Sequence, residues 1–203
     1  MATKRTQAER TELSDKKMLE AATQLILEHG TQKTTLKEIG ERAGYSRGLA
    51  SARFGTRDGL FSVIIARHRQ LWVEYIREYT KGLSGLDAIL ARIDAVDAMF
   101  RKEPENIKVM YLLWYESVSK ESPLRSQLEA CNREGRDAIV LLVKRSMENG
   151  EIAYIEAESF ASAYMSNLFG LVYQWLVSPQ QTDLRKSIEA LKSYCRYMLQ
   201  PEG

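Results

Sequence analysis

The sequence of 203 residues has only two histidines, two cysteines and four prolines, and these scarcities exclude several classes of protein. The histidines, His29 and His68, lie on separate predicted helices. No residue cluster has metal-ligand spacing, and no phosphate-binding glycine loop or nucleophile motif is present. The sequence therefore predicts no metal, no cofactor and no enzymatic activity. An all-helical enzyme that uses carboxylates stays open as an alternative.

Long apolar runs are also missing. No stretch of about 18 apolar residues is present that could span a membrane, and the charged N-terminus lacks the apolar centre of a secretory signal. The cysteines, Cys131 and Cys195, can form at most one disulfide, and both fall within apolar helical stripes. Buried reduced thiols suit a cytoplasmic protein, so we expect a cytoplasmic location without a membrane partner.

Strand-like alternation of apolar and polar residues is hard to find, and most of the chain shows helical periodicity. Capping residues, glycines and prolines divide it into nine predicted helices. The first is expected from Ser14 to Gly30, and Ser84 with Asp87 is expected to cap the fifth. The fourth, which Thr56 caps, has about 24 residues and a length of roughly 36 Å. The predicted fold class is all-α, with a small N-terminal helical domain joined by this long helix to a larger one.

The charge is unevenly distributed along the chain. Residues 1–72 contain 13 Lys and Arg against 8 Asp and Glu, whereas residues 73–203 contain 16 against 19. Chance scatter on a solvated surface would explain this difference. A basic module that binds nucleic acid, joined to a mildly acidic body, would show the same pattern.

One short segment carries the motif that points to a function. Thr35 and Glu38 fit a capping box that starts a short helix, which Gly44 ends after about two turns. Ser46 then caps a second short helix that begins at Arg47. Because the turn is so short, the helices must cross steeply, as in a helix-turn-helix whose second helix enters the DNA major groove. A helical corner packed into a core is the alternative interpretation.

The composition of the second helix favours DNA. Its residues are small, with Ala50 and Phe54 as the apolar anchors, so its backbone can approach base edges and Arg47 can reach a guanine. Three helix starts offer hydroxyls and amides to phosphates, at Thr35, Ser46 and Thr56. Three basic residues ahead of the first helix can follow a phosphate strand, namely Lys4, Arg5 and Arg10.

Residues 18–64 resemble the N-terminal domain of the TetR family of bacterial transcriptional regulators. The resemblance rests on the stretches MLEAATQLILEHG, TTLKEIGERAGYSRG and FGTRDGLF. The family pattern has T-x-x-x-I-A-x-x-A-G-V-S before the recognition helix and F-x-x-K-[ED]-x-L at the start of the fourth helix. The matching positions are Thr35, Ile39, Ala43, Gly44, Ser46, Phe54, Asp58 and Leu60.

The recognition helix departs from the family pattern. Where the family usually has a Leu-Tyr-x-His/Tyr run, this chain reads Ala-Ser-Ala-Arg, so the operator of a relative is not carried over. The resemblance implies phosphate contacts from Thr35, Ser46, Ser51 and Arg57. It implies base or groove contacts from Arg47, Leu49 and Arg53, with close approach permitted at Gly48.

Beyond residue 80 the resemblance is one of pattern, and aromatic residues mark two helices. These residues can fill a core, and the family implies a pocket among them for an apolar or amphipathic effector. Because few polar groups accompany them, we expect a largely uncharged ligand. The candidate ligand-binding residues are His68, Met110, Tyr111, Trp114, Tyr115, Tyr164, Asn167 and Trp175.

The last helix places apolar residues at heptad spacing, at Leu184, Ile188, Leu191, Cys195 and Met198. The helix before it is apolar on more than one face. The resemblance implies that these two helices pair with their symmetry mates in a homodimer. Two recognition helices about 34–36 Å apart would then read a palindrome. An intramolecular helix pair that covers the core is the alternative.

The combined hypothesis is a repressor with a DNA-binding domain over residues 1–59 and an effector-binding and dimerisation domain over residues 60–203. A small effector that prefers a state with spread recognition helices would move the long fourth helix and release double-stranded DNA. A helical interaction protein that does not bind DNA stays open as the second hypothesis.

Overall fold

The computed structural model describes residues 6–118 and 122–200, and the regular elements within these ranges are all helical. A 3₁₀ turn at Thr31–Lys33 accompanies nine α-helices in this part of the chain. The helices are α1 (Gln7–His29), α2 (Leu36–Arg42), α3 (Arg47–Phe54), α4 (Arg57–Tyr79), α5 (Gly85–Lys102), α6 (Pro104–Val118), α7 (Pro123–Glu148), α8 (Ala157–Val177) and α9 (Leu184–Leu199). The predicted all-α class is confirmed.

The short helices begin where their capping residues predict. The Thr35 hydroxyl accepts from the Glu38 amide at 3.3 Å, and the Glu38 carboxylate accepts from the Thr35 amide at 3.2 Å. Ser46 Oγ accepts from the Leu49 amide at 3.2 Å at the start of α3. These bonds satisfy amides that the first helical turn leaves without intrahelical partners, and they therefore fix where each helix starts.

The predicted start of α1 is wrong by seven residues. The helix begins at Gln7, because Thr6 and Glu9 form a capping box in which the Glu9 carboxylate accepts from the Thr6 amide at 2.6 Å. The first two turns are charged, so hydrophobic periodicity gave no signal there. Arg10 consequently lies on α1 and not on an arm before it, whereas the predicted phosphate contacts Lys4 and Arg5 fall outside the described residues.

One expected capping box is absent at a helix start that is otherwise as predicted. Ser84 precedes α5, but its side chain makes no capping hydrogen bond, so the box expected with Asp87 does not form. Helix α9 begins at Leu184, because the Asp183 carboxylate accepts from the Lys186 amide at 3.1 Å.

The chain forms two compact units. The first contains the residues up to His68 together with Glu105–Leu128, and the second contains Arg69–Pro104 together with the residues from Glu129 onward. Both α4 and α7 therefore run from one unit into the other. The first unit joins the helix-turn-helix to α6, so the predicted boundary near residue 59 does not coincide with this division.

Each unit has its own apolar core. Fully buried side chains in the first unit include Met18, Ile26, Ile39, Phe61 and Ile65. In the second unit they include Ile89, Ile93, Met99, Ile139 and Leu199. No helix in the described ranges has the length and apolarity needed to cross a membrane.

Three of the five heptad residues of α9 face the interior of their own unit. Ile188, Leu191 and Cys195 are 4, 6 and 1% exposed, and the Lys192 ammonium lies 2.8 Å from Asp94 on α5. Tyr194 and Tyr197 lie on the other side of α9 and are exposed. The apolar spacing thus reports intramolecular packing, and a dimer through α9 would have to use the exposed side.

Candidate nucleic-acid interface and effector site

The crossing of α2 and α3 brings the two backbones into direct contact at Gly40. A Cβ atom on this buried residue would lie 2.9 Å from the Ser46 carbonyl oxygen. Gly44, in the turn between the helices, has φ +77°, a left-handed conformation that glycine adopts without steric cost. Sequence reasoning identified the turn but gave no role to Gly40, because its close neighbour lies on the next helix.

The N-terminal end of α3 presents its side chains to solvent. Ser46, Arg47 and Gly48 are exposed, whereas Ala50 and Phe54 are buried on the opposite side of the helix. Leu49 and Ser51 are half-buried. Within the described residues Arg47 makes no ion pair. A guanidinium in this position can reach a guanine edge in a major groove.

Arg53, the second predicted groove contact, is held by α1. Its Nε lies 2.7 Å from Asp15 Oδ1, and each side chain is 34% exposed. The interaction links the C-terminal half of α3 to the first helix. Asp15 had no assigned role in the sequence, because nothing local relates it to a residue so far along the chain.

Arg57 is held on three sides. Its Nη1 donates to the Gln32 carbonyl oxygen at 3.2 Å, its guanidinium lies 5.6 Å from the centre of the Phe61 ring, and its Nη2 lies 3.8 Å from Glu116 Oε1. The Gln32 side-chain amide also donates to Glu116 Oε1. We call these contacts of Glu116 with Gln32 and Arg57 the Glu116 bridge.

The Glu116 bridge ties α6 to the base of the helix-turn-helix. Glu116 is only 15% exposed and Arg57 is 31% exposed, so the ion pair is partly shielded from solvent. An Arg57 that neutralises Glu116 is less available to a phosphate. Thr35 is similarly occupied, because its hydroxyl donates to the Glu38 carboxylate at 2.8 Å.

Three of the candidate ligand-binding residues come together in the first unit. The rings of Tyr111 and Trp114 meet edge-on with centres 4.9 Å apart, and His68 meets Trp114 edge-on at 6.3 Å. His68 Nδ1 donates to Asn106 Oδ1 at 2.6 Å. Burial lowers the pKa of His68, with the Asn106 hydrogen bond acting in the opposite direction. The ring is therefore neutral, with Nε2 as an acceptor.

Two other candidates lie in the second unit. Tyr164 is 3% exposed and its hydroxyl donates to the Ile89 carbonyl oxygen at 3.3 Å. Burial raises the pKa of Tyr164, which keeps the phenol neutral. Trp175 meets Phe100 edge-on, with ring centres 4.5 Å apart. These aromatic groups join α8 to α5 at two levels.

The remaining candidates do not occupy positions that suit an interior ligand. Tyr115 is 83% exposed, and Asn167 is exposed with its amide donating to the Ala163 carbonyl oxygen. Both point to solvent because they lie on the outer faces of their amphipathic helices. Met110 is 2% exposed and belongs to the packed core. Among the described residues no group of three His, Cys, Asp or Glu side chains is placed to hold a metal.

The sequence of the N-terminal part matches a known family. Residues 18–64 match the family model described as bacterial regulatory proteins, tetR family. No curated protein matches this chain.

Solved regulators share the fold over nearly the whole chain. The SmeT–triclosan complex is 19% identical, with a TM-score of 0.79, covering 94% of this chain and 93% of that one. A second structure, of SmeT, the repressor of the Stenotrophomonas maltophilia multidrug efflux pump SmeDEF, is 19% identical, with a TM-score of 0.75 and coverage of 93% and 91%. A transcriptional regulator from Saccharomonospora viridis in complex with choline is 16% identical, with a TM-score of 0.78 and coverage of 91% and 96%.

Proposed function

We propose that this chain, whose residues 18–64 match the family model of tetR bacterial regulatory proteins, is a TetR-type repressor that binds a palindromic operator as a homodimer. A small effector releases it from DNA. It binds double-stranded DNA in the cytoplasm and regulates transcription, and it is not an enzyme.

The observation that carries this proposal is the exposed N-terminal end of α3. Ala50 and Phe54 anchor the helix, and the tight crossing at Gly40 fixes its angle to α2. Arg47 and Ser46 remain on the surface, where base edges and phosphates can reach them. An α3 that served only as a core helix would not leave its basic end in solvent.

A homodimer is supported by the apolar residues that α8 and α9 leave exposed. They are Tyr173, Val177, Tyr194, Tyr197 and Met198. Apolar patches on helices of a soluble protein mark interaction surfaces. Pairing of identical helices about a two-fold axis buries the patch and supplies the second recognition helix that a palindrome requires.

Effector release is supported by the position of α6. This helix carries Tyr111 and Trp114 beside His68 of α4, and further along it carries Glu116, which contacts Gln32 and Arg57. A ligand whose binding moves α6 would disturb the contacts at the base of the helix-turn-helix. The similar regulators solved with triclosan and choline support a small organic molecule as the effector.

The decisive experiment is selection of bound sequences from a random pool of DNA duplexes. We expect a consensus with two half-sites related by a dyad, about one helical turn apart. Affinity for the selected duplex should fall steeply with salt, because phosphate contacts release counterions. Enrichment of no sequence, together with binding that does not depend on salt, would contradict the proposal and favour a protein-interaction role on the same scaffold.

A further inference from the structure

Arg92 occupies the interior side of α5. Helical spacing puts it beside Ala88, Ala95 and Met99, which are four residues before it and three and seven after it, and none of these is more than 2% exposed. Helical spacing puts four other charged residues of α5 away from this side, namely Asp87, Asp94, Asp97 and Arg101. An arginine in the middle of a buried helix face is unusual, because its charge loses hydration.

No carboxylate of the described residues pairs with the Arg92 guanidinium. The charges nearby on α5 are already matched, since Asp94 binds Lys192 at 2.8 Å and Asp97 binds Arg101 at 2.6 Å. Burial lowers the pKa of Arg92, and the neighbouring Tyr164 phenol acts weakly against that effect. A half-buried cation of this kind destabilises the fold until an anion reaches it.

The helix that faces Arg92 supplies an apolar and aromatic environment. Tyr164 of α8 reaches the Ile89 carbonyl oxygen on α5, one turn before Arg92. About two turns beyond Arg92, Phe100 of α5 meets Trp175 of α8. A molecule that lies along α5 would thus meet a cation at one end and aromatic rings at the other.

We infer that Arg92 binds the anionic group of the effector, which is an organic acid with an apolar or aromatic body. A guanidinium holds a carboxylate or sulfonate through two parallel hydrogen bonds, which makes it a selective anchor for such a group. The inference rests on the proposed function, because it names the chemical class that the effector site accepts. It replaces the expectation of a largely uncharged ligand, which took account of the aromatic residues but not of Arg92.

The test uses two fluorescent probes with the same aromatic body. 1-Anilinonaphthalene-8-sulfonate carries a sulfonate, whereas N-phenyl-1-naphthylamine is neutral, and both brighten in apolar surroundings. The full-length protein and its R92Q and R92M variants are titrated with each probe. R101Q is the matched control, because Arg101 lies on the exposed side of the same helix and is 66% exposed.

We expect R92Q and R92M to bind the sulfonate at least about tenfold more weakly, which is the effect of losing one charge-assisted anchor. Binding of the neutral probe should change less than about twofold, and R101Q should behave like the wild type. Both Arg92 variants should melt at or above the temperature of the wild type without ligand, because the uncompensated charge is gone. Their oligomeric state should not change.

Several results would overturn the inference. One is sulfonate binding that does not depend on Arg92, and another is a wild-type protein that binds no sulfonate probe saturably. A third is an R92M protein that loses stability or dissociates, since Arg92 would then have a structural partner. If the Arg92 dependence holds but the protein binds no DNA, the proposed function fails while the ligand class stands.

Discussion

At the scale of single residues, three arginines near the helix-turn-helix differ in what they already contact. Arg47 is exposed and makes no ion pair among the described residues. Arg53 forms an ion pair with Asp15, and Arg57 forms one with Glu116. A guanidinium that must leave a protein carboxylate gains less from DNA than one that leaves only water. We therefore expect Arg47 to contribute most to sequence discrimination.

Replacement of Arg47 by alanine should weaken binding to the selected operator by about 1–3 kcal/mol. The loss should be much smaller on a scrambled duplex, because the lost contact reads a base. Fluorescence anisotropy at fixed salt measures both affinities. Arg133→Ala, at an exposed position on α7, is the control and should change neither. An equal loss on both duplexes would make Arg47 a phosphate contact only.

His68 should make stability depend on pH in a defined window. Burial lowers its pKa in the folded state below the unfolded value of about 6.5. As the pH falls, the unfolded chain therefore takes up the proton first. The contribution of neutral His68 to the free energy of unfolding is therefore fully present above about pH 6.5. This contribution is lost as the pH falls toward the folded-state pKa.

Urea unfolding of the wild type and of His68→Gln, at several pH values between 7.5 and 5, checks this. The variant should lose less stability over that range, so the two curves converge as the solution becomes acidic. His29→Gln is the control, because His29 is half-exposed and its removal should leave the wild-type profile unchanged. Parallel curves for wild type and His68→Gln would show that His68 does not carry the effect.

At the scale of helices, local chemistry predicted the elements better than their contacts. Thr35 and Ser46 mark helix starts correctly, because capping involves atoms within one turn. The apolar spacing of α9 left open whether its own unit or a second copy covers that face, since periodicity identifies a buried face but not what buries it. The contact between Gln32 and Glu116 joins residues 84 positions apart, and no local pattern announces it.

The same limit applies to the candidate site. The residues exposed at the start of α3 follow from the motif, whereas Asp15, Asn106 and Glu116 enter through tertiary packing. Arg92 carries a readable signal, because it interrupts a buried side of α5 that is otherwise formed by Ala88, Ala95 and Met99. A charged residue at a predicted core position is as informative about a ligand-binding site as an aromatic cluster.

The Glu116 bridge gives a prediction about α6 and α4. Replacement of Glu116 by glutamine removes the ion pair with Arg57 and leaves an amide of similar size. Since Arg57 would then be available to a phosphate, affinity for DNA should rise by about twofold to fivefold, which corresponds to about 0.5–1 kcal/mol. Release by an effector should weaken, because α6 has lost a connection to the helix-turn-helix.

DNA titrations of the wild type and four variants distinguish this coupling from a general charge effect. Glu105→Gln removes the same charge from the exposed first turn of α6 and should change the affinity little. In an Arg57→Gln background, Glu116→Gln should have no further effect. An equal rise for Glu105→Gln and Glu116→Gln would mean that only net charge matters.

At the scale of the whole molecule, one chain offers one recognition helix, and a single half-site gives modest affinity. If one dimer holds two recognition helices, binding of the first helix to its half-site keeps the second helix close to the other half-site. The second binding step then benefits from a high effective concentration. In the proposed dimer, the apolar residues that α8 and α9 leave exposed would thus be linked to operator binding through assembly, although they lie on helices distant in sequence from α3.

Introduction of a charge into that surface should therefore abolish operator binding without damage to the fold. Val177 is 62% exposed on α8, so Val177→Glu should leave the helical content and melting cooperativity of the monomer nearly intact. Two-fold symmetry would place two unpaired carboxylates in the interface, which should raise the dimer dissociation constant at least about tenfold. Leu141→Glu, at a 70% exposed apolar position on α7, is the control.

Sedimentation should show the Val177 variant dissociating into monomers. DNA titration should show that it no longer binds the palindrome tightly while it retains weak half-site binding, because only assembly is altered. A Val177→Glu protein that stays dimeric and binds the palindrome normally would place the partner surface elsewhere.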